Sequence, residues 1–316
     1  ADSKNNLQES VLSTFKFEPA VSGLECVHQG KVRDTFAIPD HPELLLTVAT
    51  DRVSTHNVVH KSIIPRKGCA LTALTVFWMK SQLPEIKTHL VAFGSGIFKY
   101  LPRQKYPDDL FLRALVIRKL DMISVEFIFR SRMAGSLLKD YYQNGLPNPY
   151  GLELPPGLQL MSPFENTVFT PTDKSETDDP LSAMEVVTQF SSACQLALKV
   201  YEMGRAVALQ RGIEIIDGKF EVGVDPENGR VVLGDECLTP DSCRFVRADS
   251  IVVGQEPAWL DKQYLREAAE QTWAGGKKVP LDFSPDVVSE TTRRYEAIVG
   301  ALTGASLAGF QLMHLR

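Results

Sequence analysis

The stretch GIEIIDGKFEVGVDPENGRVVLGDECLTPDSCRFV, residues 212–246, reads as two β-strands joined by a tight turn at Asp225-Pro-Glu-Asn-Gly229. Pro, Asn and Gly supply the turn geometry, and Ile/Val-rich runs flank it. Side chains alternate faces along a strand, so Asp217, Lys219 and Glu221 share one face while Phe220 and Val222 turn toward a core. The return strand, Val231-Val-Leu-Gly234, delivers Asp235 and Glu236 back beside Glu221. Carboxylates opposed across a hairpin repel, and a cation between them relieves the repulsion. Hard Mg²⁺ prefers oxygen ligands and usually takes one or two carboxylates plus substrate phosphates. The plainer reading is a surface hairpin with solvated charges. The next residues favour a site: Thr239-Pro-Asp-Ser-Cys-Arg244 sets an acid, a hydroxyl and a guanidinium directly after the carboxylates.

The 316 residues are enough for two domains and a sizeable core. A 44% hydrophobic and 23% charged content is ordinary for a soluble globular protein. The net charge of −5 argues against a general nucleic-acid binder. No apolar run approaches the ~20 residues of a membrane span, and the polar lead ADSKNNLQES carries no secretory pattern. Five cysteines without CxxC spacing disfavour a zinc site or a disulfide framework and fit a reducing cytoplasm.

Upstream of the hairpin, His28-Gln-Gly-Lys-Val-Arg-Asp34 places Lys31 and Arg33 around a turn at Gly30, between strands expected at 34–38 and 44–50. Such a turn can lie over nucleotide phosphates, or be a basic hairpin turn and no more. Thr50-Asp-Arg-Val-Ser-Thr-His-Asn57 groups an acid, a base and hydroxyls at a strand's end. Leu71, Leu74, Thr75 and Trp78 fall at helical spacing on a core-facing helix that Pro84 closes. A buried strand is expected over 112–117 and another over 125–129, linked by Arg118-Lys-Leu-Asp-Met122, whose backbone could meet an adenine edge.

In Arg130-Ser-Arg-Met-Ala-Gly-Ser136, Ser136 is a plausible N-cap for the helix that follows. Helix starts collect anions, and Arg130 and Arg132 add guanidinium forks; the alternative is a basic surface cluster. Residues 162–180 show little helical or strand period and read as an ordered loop walling a site, with Lys174 and Asp179 as contacts, or else as a solvated loop. Ser182-Ala-Met-Glu185 is a capping box for a helix running to about Gln210, with Val187, Phe190, Cys194, Ala197 and Tyr201 on one stripe. Lys262 and Arg266 share a helix face, and Ser284-Pro285 opens the last long helix; residues 301–316 suggest no role.

GKVRD at 30–34, TDRVS at 50–54, RSRMAGS at 130–136, FTPTDKSETDDP at 169–180, KFEVG at 219–223, GDECLTPDSCR at 234–244 and DKQYLR at 261–266 together resemble the SAICAR synthetase family, in its longer form. The resemblance implies an α+β fold with a β-rich N-terminal lobe over residues 1–120. A larger ATP-grasp- and kinase-like lobe follows over 121–316, with ATP between the two. It implies ATP- and Mg²⁺-dependent ligation of L-aspartate to carboxyaminoimidazole ribonucleotide (CAIR), in the cytoplasm, by a monomer or homodimer with no nucleic-acid or membrane partner.

By matched motif, Gly30, Lys31 and Arg33 lie near the ATP phosphates, with Lys119, Leu120 and Met122 at the adenine link. The resemblance implies that Glu221 and Asp235 would hold Mg²⁺. Asp217, Lys219 and Lys174 are placed at the reacting groups. Arg130, Ser136, Asp179, Asp241, Ser242 and Arg244 would bind the ribonucleotide together with Lys174, and Lys262 and Arg266 would be further anion contacts. Two places depart from the family pattern: Thr55-His56-Asn57 stands where an aromatic and an aspartate are usual, and Ser124 where proline is. The first leaves no carboxylate at position 57. A small-molecule kinase of the same superfamily and a non-catalytic nucleotide-binding module are the competing functions.

Overall fold

The computed structural model describes residues 15–144 and 148–316. Strands β1 (Cys26–Gln29), β2 (Arg33–Ala37) and β3 (Leu44–Ala49) lead into a hairpin, β4 (Arg52–Thr55) and β5 (Val58–Ile63), and then helix α1 (Lys67–Val76) with a π-helical turn over Phe77–Gln82. β6 (Leu90–Phe93), helix α2 (Leu110–Arg113) and β7 (Ala114–Arg118) complete a five-stranded antiparallel sheet in the order β1-β2-β3-β7-β6. Alternation divides its faces. Phe36, Leu46, Val48 and Val116 are buried in a small core. The intervening Thr35, Leu45, Thr47, Leu115 and Ile117 wall a cleft on the other side.

All ten residues of α1 are buried. Asp51 sets its start by accepting from the N–H groups of Arg66 (3.2 Å) and Gly68 (3.0 Å). A Cβ on Gly68 would meet the Ala49 carbonyl oxygen at 2.2 Å, so glycine lets α1 press against the end of β3.

β8 (Asp121–Met122), β9 (Phe127–Arg132) and β10 (Pro163–Phe169) precede helices α3 (Ala183–Gln189) and α4 (Ser191–Leu209). β11 (Ile213–Val224), β12 (Val231–Gly234) and β13 (Cys243–Arg247) follow. The second sheet runs β10-β9-β11-β12, with β8 and β13 also pairing with β11. The expected hairpin is β11–β12. Val224 pairs with Val231 and Glu221 with Gly234, and Gly229 closes the turn at φ 69°. Phe220 and Val222 are buried as read.

Helices α5 (Gln263–Trp273), α6 (Pro285–Thr303) and α7 (Leu307–His314) end the chain. Ser284 caps α6, accepting from Val287 N–H at 3.3 Å. Residues 301–316 thus finish α6 and form α7. Phe310 of α7 joins Tyr295, Ile298 and Leu302 of α6 in the principal core. That core also takes Leu71 and Leu74 of α1, so α1 packs with the C-terminal helices although it precedes residue 120. No single described helix is long and apolar enough to cross a membrane.

Several expectations need correction. Residues 163–169 form β10 rather than loop. β10 is an edge strand, irregular in register against β9, with no face fully buried, so no two-residue period marks it. The strand expected over 112–117 begins at Ala114, and Leu112 belongs to α2; the one expected over 125–129 begins at Phe127 and runs to Arg132. The helix expected to reach Gln210 breaks at Phe190 (φ −127°, ψ 46°) into α3 and α4, and Val187 is exposed. Ser136 makes no capping hydrogen bond and has helical φ and ψ itself.

Candidate active site

Between the two sheets lies a cleft of about 680 Å³. Its roof is the glycine turn, where Gly30 N–H donates to Arg33 O at 2.7 Å. Arg52 holds this turn from behind, donating to Gly30 O (3.1 Å) and Lys31 O (3.2 Å). Arg52 is itself fixed by buried Asp34 at 2.6 Å. A buried, multiply bonded guanidinium thus shapes the loop before any ligand arrives. Lys31 Nζ donates to Asn57 Oδ1.

On the inner wall, Leu120 and Met122 line the cleft beside Leu45 and Ile117. Met122 pairs with Gly223 of β11. A Cβ at Gly223 would lie 2.7 Å from Leu120 Cβ, so a bare backbone there lets the link lie on the hairpin. Lys119 does not reach the cleft: its side chain is exposed and its N–H is taken by Glu43 O at 2.9 Å.

The floor carries Lys219, Glu221, Asp235 and Glu236. Glu221 lies across from Gly234, so Asp235 stands one residue past the last pair. Each carboxylate meets a basic side chain. Arg33 pairs with Asp235 and, at 2.7 Å, with Glu236. Lys174 reaches Glu221 at 3.1 Å, and Lys219 reaches Glu126 at 3.1 Å. Burial works against the charge of Arg33, but Asp235 and Glu236 outweigh it and keep the guanidinium firmly protonated. Among the described residues no group of three or more His, Cys, Asp or Glu side chains is gathered for a metal. Glu221 and Asp235 nevertheless offer the all-oxygen, two-carboxylate set that suits Mg²⁺ completed by phosphate. His89 also lines the cleft, and its Nε2 donates to Asp235 O at 3.1 Å. Burial pulls His89 down to about 4, so the ring is neutral and serves as a donor.

Beside the floor is a second, more enclosed cluster. Arg130 (3.1 Å) and Arg244 (2.7 Å) both donate to Asp217 Oδ2. Gly135, at φ 62°, lies under the Arg244 guanidinium, which a Cβ there would meet at 2.8 Å. Asp241 is buried between Lys67 (2.7 Å) and the Tyr295 hydroxyl. Burial pushes its carboxyl up, and Lys67 and Lys262 more than reverse this, leaving it ionised. Lys262 donates to Ser54 O at 3.2 Å. It is pulled down to about 8, chiefly by burial among Arg266, Lys67 and Lys219. Arg266 stands 3.6 Å from buried Asp261, whose carboxyl is pushed up by burial. Ser242 is buried, its hydroxyl tied to the Thr239 backbone.

Two sequence candidates stay outside this cluster. Ser136 is exposed, and Asp179 is exposed with its carboxylate accepting from Thr177 at 2.8 Å. Conversely, His89, Glu126, Lys67 and Tyr295 belong to the site and were not singled out from sequence. Lys67 is invisible because a lysine at the start of a buried helix looks like a solvated end. Glu126 pairs with a residue 93 positions away.

A polar, charge-lined cleft with an apolar inner wall, closed by a basic turn, thus lies between the two sheets of an α+β, two-lobed chain. The model of the family described as SAICAR synthetase matches residues 26–281, and the chain belongs to that family. It is 37% identical over 299 residues to the phosphoribosylaminoimidazole-succinocarboxamide synthase of Saccharomyces cerevisiae, covering 89% of this chain and 95% of that protein. The enzyme of the same name from Mannheimia succiniciproducens is 38% identical over 290 residues, covering 89% and 98%. The solved SAICAR synthase from Saccharomyces cerevisiae complexed with SAICAR superposes with a TM-score of 0.81 at 34% identity, covering 92% of this chain and 98% of that one.

Proposed function

We propose that this chain joins the carboxylate of CAIR to the amine of L-aspartate, with ATP converted to ADP and phosphate. The observation that carries the reading is the adjacency of two anion sites. One is the cleft under Lys31 and Arg33, and the other is the Arg130–Arg244 pair, joined to it by the β11 residues Asp217, Lys219 and Glu221. The adenine ring takes the apolar slot at Leu120 and Met122, and the phosphates meet Lys31, Arg33 and Lys219. Glu221 and Asp235 would hold Mg²⁺, which neutralises developing phosphate charge.

A carboxylate is a poor electrophile, and a γ-phosphoryl group on it makes an acyl phosphate that the amine attacks. Such transfer depends on positioning and on fixed positive charge. Lys219 is kept protonated: burial opposes its charge, while Glu126 and Asp235 more than restore it. Lys174, drawn to Glu221, is placed at the junction of nucleotide and ribonucleotide. Arg130, Arg244 and the buried Asp241–Lys67 pair shape the ribonucleotide pocket, with Ser242 in its wall. Lys262 and Arg266 add cations for the carboxylates of aspartate or the ribose phosphate.

The test is ADP release with Mg²⁺, expected only when CAIR and aspartate are both present and matched by amide formation. ADP release without amide would replace the ligase with a kinase of the same fold. Glu221→Gln should lower Mg²⁺-dependent turnover at least ~100-fold, the scale of losing a preorganised electrostatic contact. Turnover near that of the parent would remove Glu221 from metal binding.

A further inference from the structure

His56 and Asn57 form the two-residue turn between β4 and β5, both left-handed, at φ 50° and 64°. Asparagine tolerates that backbone, but the turn does not account for its side chain. Asn57 Oδ1 accepts from Lys31 Nζ in the glycine turn. Its Nδ2 donates to Glu176 O and to Asp178 Oδ2, each at 3.3 Å. One short polar group therefore bridges two segments that lie 26 and about 120 residues from it in the chain.

The second segment is a folded loop. Asp173 N–H donates to Asp179 O at 2.9 Å, and the Asp173 carboxylate accepts from the N–H groups of Ser175 (3.0 Å) and Asp179 (2.9 Å). The loop carries Lys174 to Glu221 at 3.1 Å. Its contact with Asn57 needs a donor facing Asp178, while the contact with Lys31 needs an acceptor. A carboxamide offers both from one planar group. A carboxylate at this position would keep Lys31 and repel Asp178 and the Glu176 carbonyl oxygen.

We propose that Asn57 is a positioning residue that couples the two substrates. Its carboxamide ties the turn over the nucleotide to the loop against the ribonucleotide. A ligand that contacts one of them thereby fixes the placement of the other through the Asn57 bridge. This rests on the functional reading above, which puts the nucleotide beneath Lys31 and the ribonucleotide beside Lys174. By linkage the effect is reciprocal: each ligand tightens the other by the same factor.

The experiment is isothermal titration of the full chain with Mg²⁺ and a non-hydrolysable ATP analogue. A stable aminoimidazole carboxamide ribonucleotide is titrated in the same way, each ligand alone and each with the other saturating. The parent should show mutual tightening of about five- to ten-fold, within the usual range of coupling between sites. Asn57→Asp should reduce the factor to about one, with each ligand alone still binding.

The double variant Asn57→Asp/Asp178→Asn moves the amide to the other side of the contact. It should recover most of the coupling, a rescue that a merely structural role for Asn57 does not predict. Asp178→Ala leaves the β4–β5 turn untouched and should lower the factor if Asn57→Asp proves unstable. Unchanged coupling in folded Asn57→Asp, or in Asp178→Ala, overturns the proposal, as does a double variant no better than the single one. Binding of neither ligand by the parent overturns the functional reading itself, a result distinct from binding without coupling.

Discussion

Asp217→Asn isolates a buried carboxylate shared by two arginines. Two guanidinium groups, Arg130 and Arg244, share the Oδ2 oxygen of Asp217. The carboxylate is 8% exposed, Arg130 6% and Arg244 24%. Asparagine preserves the volume and one acceptor oxygen, exchanges the other oxygen for an amide donor and removes the charge, so Arg130 and Arg244 lose the counter-ion they share, with Asp261 still acting on Arg244. Stranding a buried charge costs about 3–5 kcal/mol, and the partial hydration of Arg244 argues for the low end, about 3 kcal/mol. Unfolding entropy of about 2.1 cal/mol/K per residue makes that a fall of roughly 4–5 °C in Tm for a chain of this size.

Thermal unfolding of parent and variant at pH 7 reads the difference directly. A second arm uses pH. Burial pushes the Asp217 carboxyl up, but Arg244 and Arg130 outweigh it, and the folded value lies below the ordinary one. The stability it contributes is therefore complete above the unfolded carboxylate value of about 3.9 and is lost as pH falls through the lower folded value. The gap between parent and variant should close in that acidic window. Inorganic phosphate should stabilise the variant more than the parent, because it restores a negative partner to the two arginines. A variant that melts within 1 °C of the parent at pH 7 would refute the reasoning.

Glu126→Gln should lower kcat about ten-fold, the kinetic equivalent of one charge-assisted hydrogen bond of about 1.5 kcal/mol to Lys219. Its Tm should move little, because Lys219 is 39% exposed; steady-state kinetics beside a melting curve checks both. A third prediction concerns His60, which accepts from Leu281 N–H through Nδ1 (3.1 Å) and meets Thr55 Oγ1 through Nε2 (2.7 Å). Burial, then His56 and Lys262, pull it down to about 4. Protonation would set a second N–H against that of Leu281. Stability should fall as pH drops from the unfolded histidine value of about 6.5 toward 4. His60→Gln should flatten this slope in melting curves taken across that range.

Local patterns carried much of the fold. The β11–β12 hairpin could be read from Ile/Val alternation around Asp225–Gly229, and α6 from Ser284-Pro285, because turns and caps are decided by a few adjacent residues. The same locality made Lys219, Glu221 and Asp235 recognisable as neighbours. The break at Phe190 and the edge strand β10 left no such mark. Edge pairing needs only backbone from β9, and a half-exposed strand has no face to pattern.

Partnership across the chain was beyond any spacing rule. Arg33 grips Asp235, 202 residues on, and Lys67 is the buried counter-ion of Asp241. Asn57, a departure from its family's pattern when read alone, joins two loops when folded. Residue types and local order follow from short-range sterics and hydrogen bonding, which adjacent residues specify. Which cation neutralises which carboxylate depends on how the two sheets and α1 pack, and that is a property of the folded core.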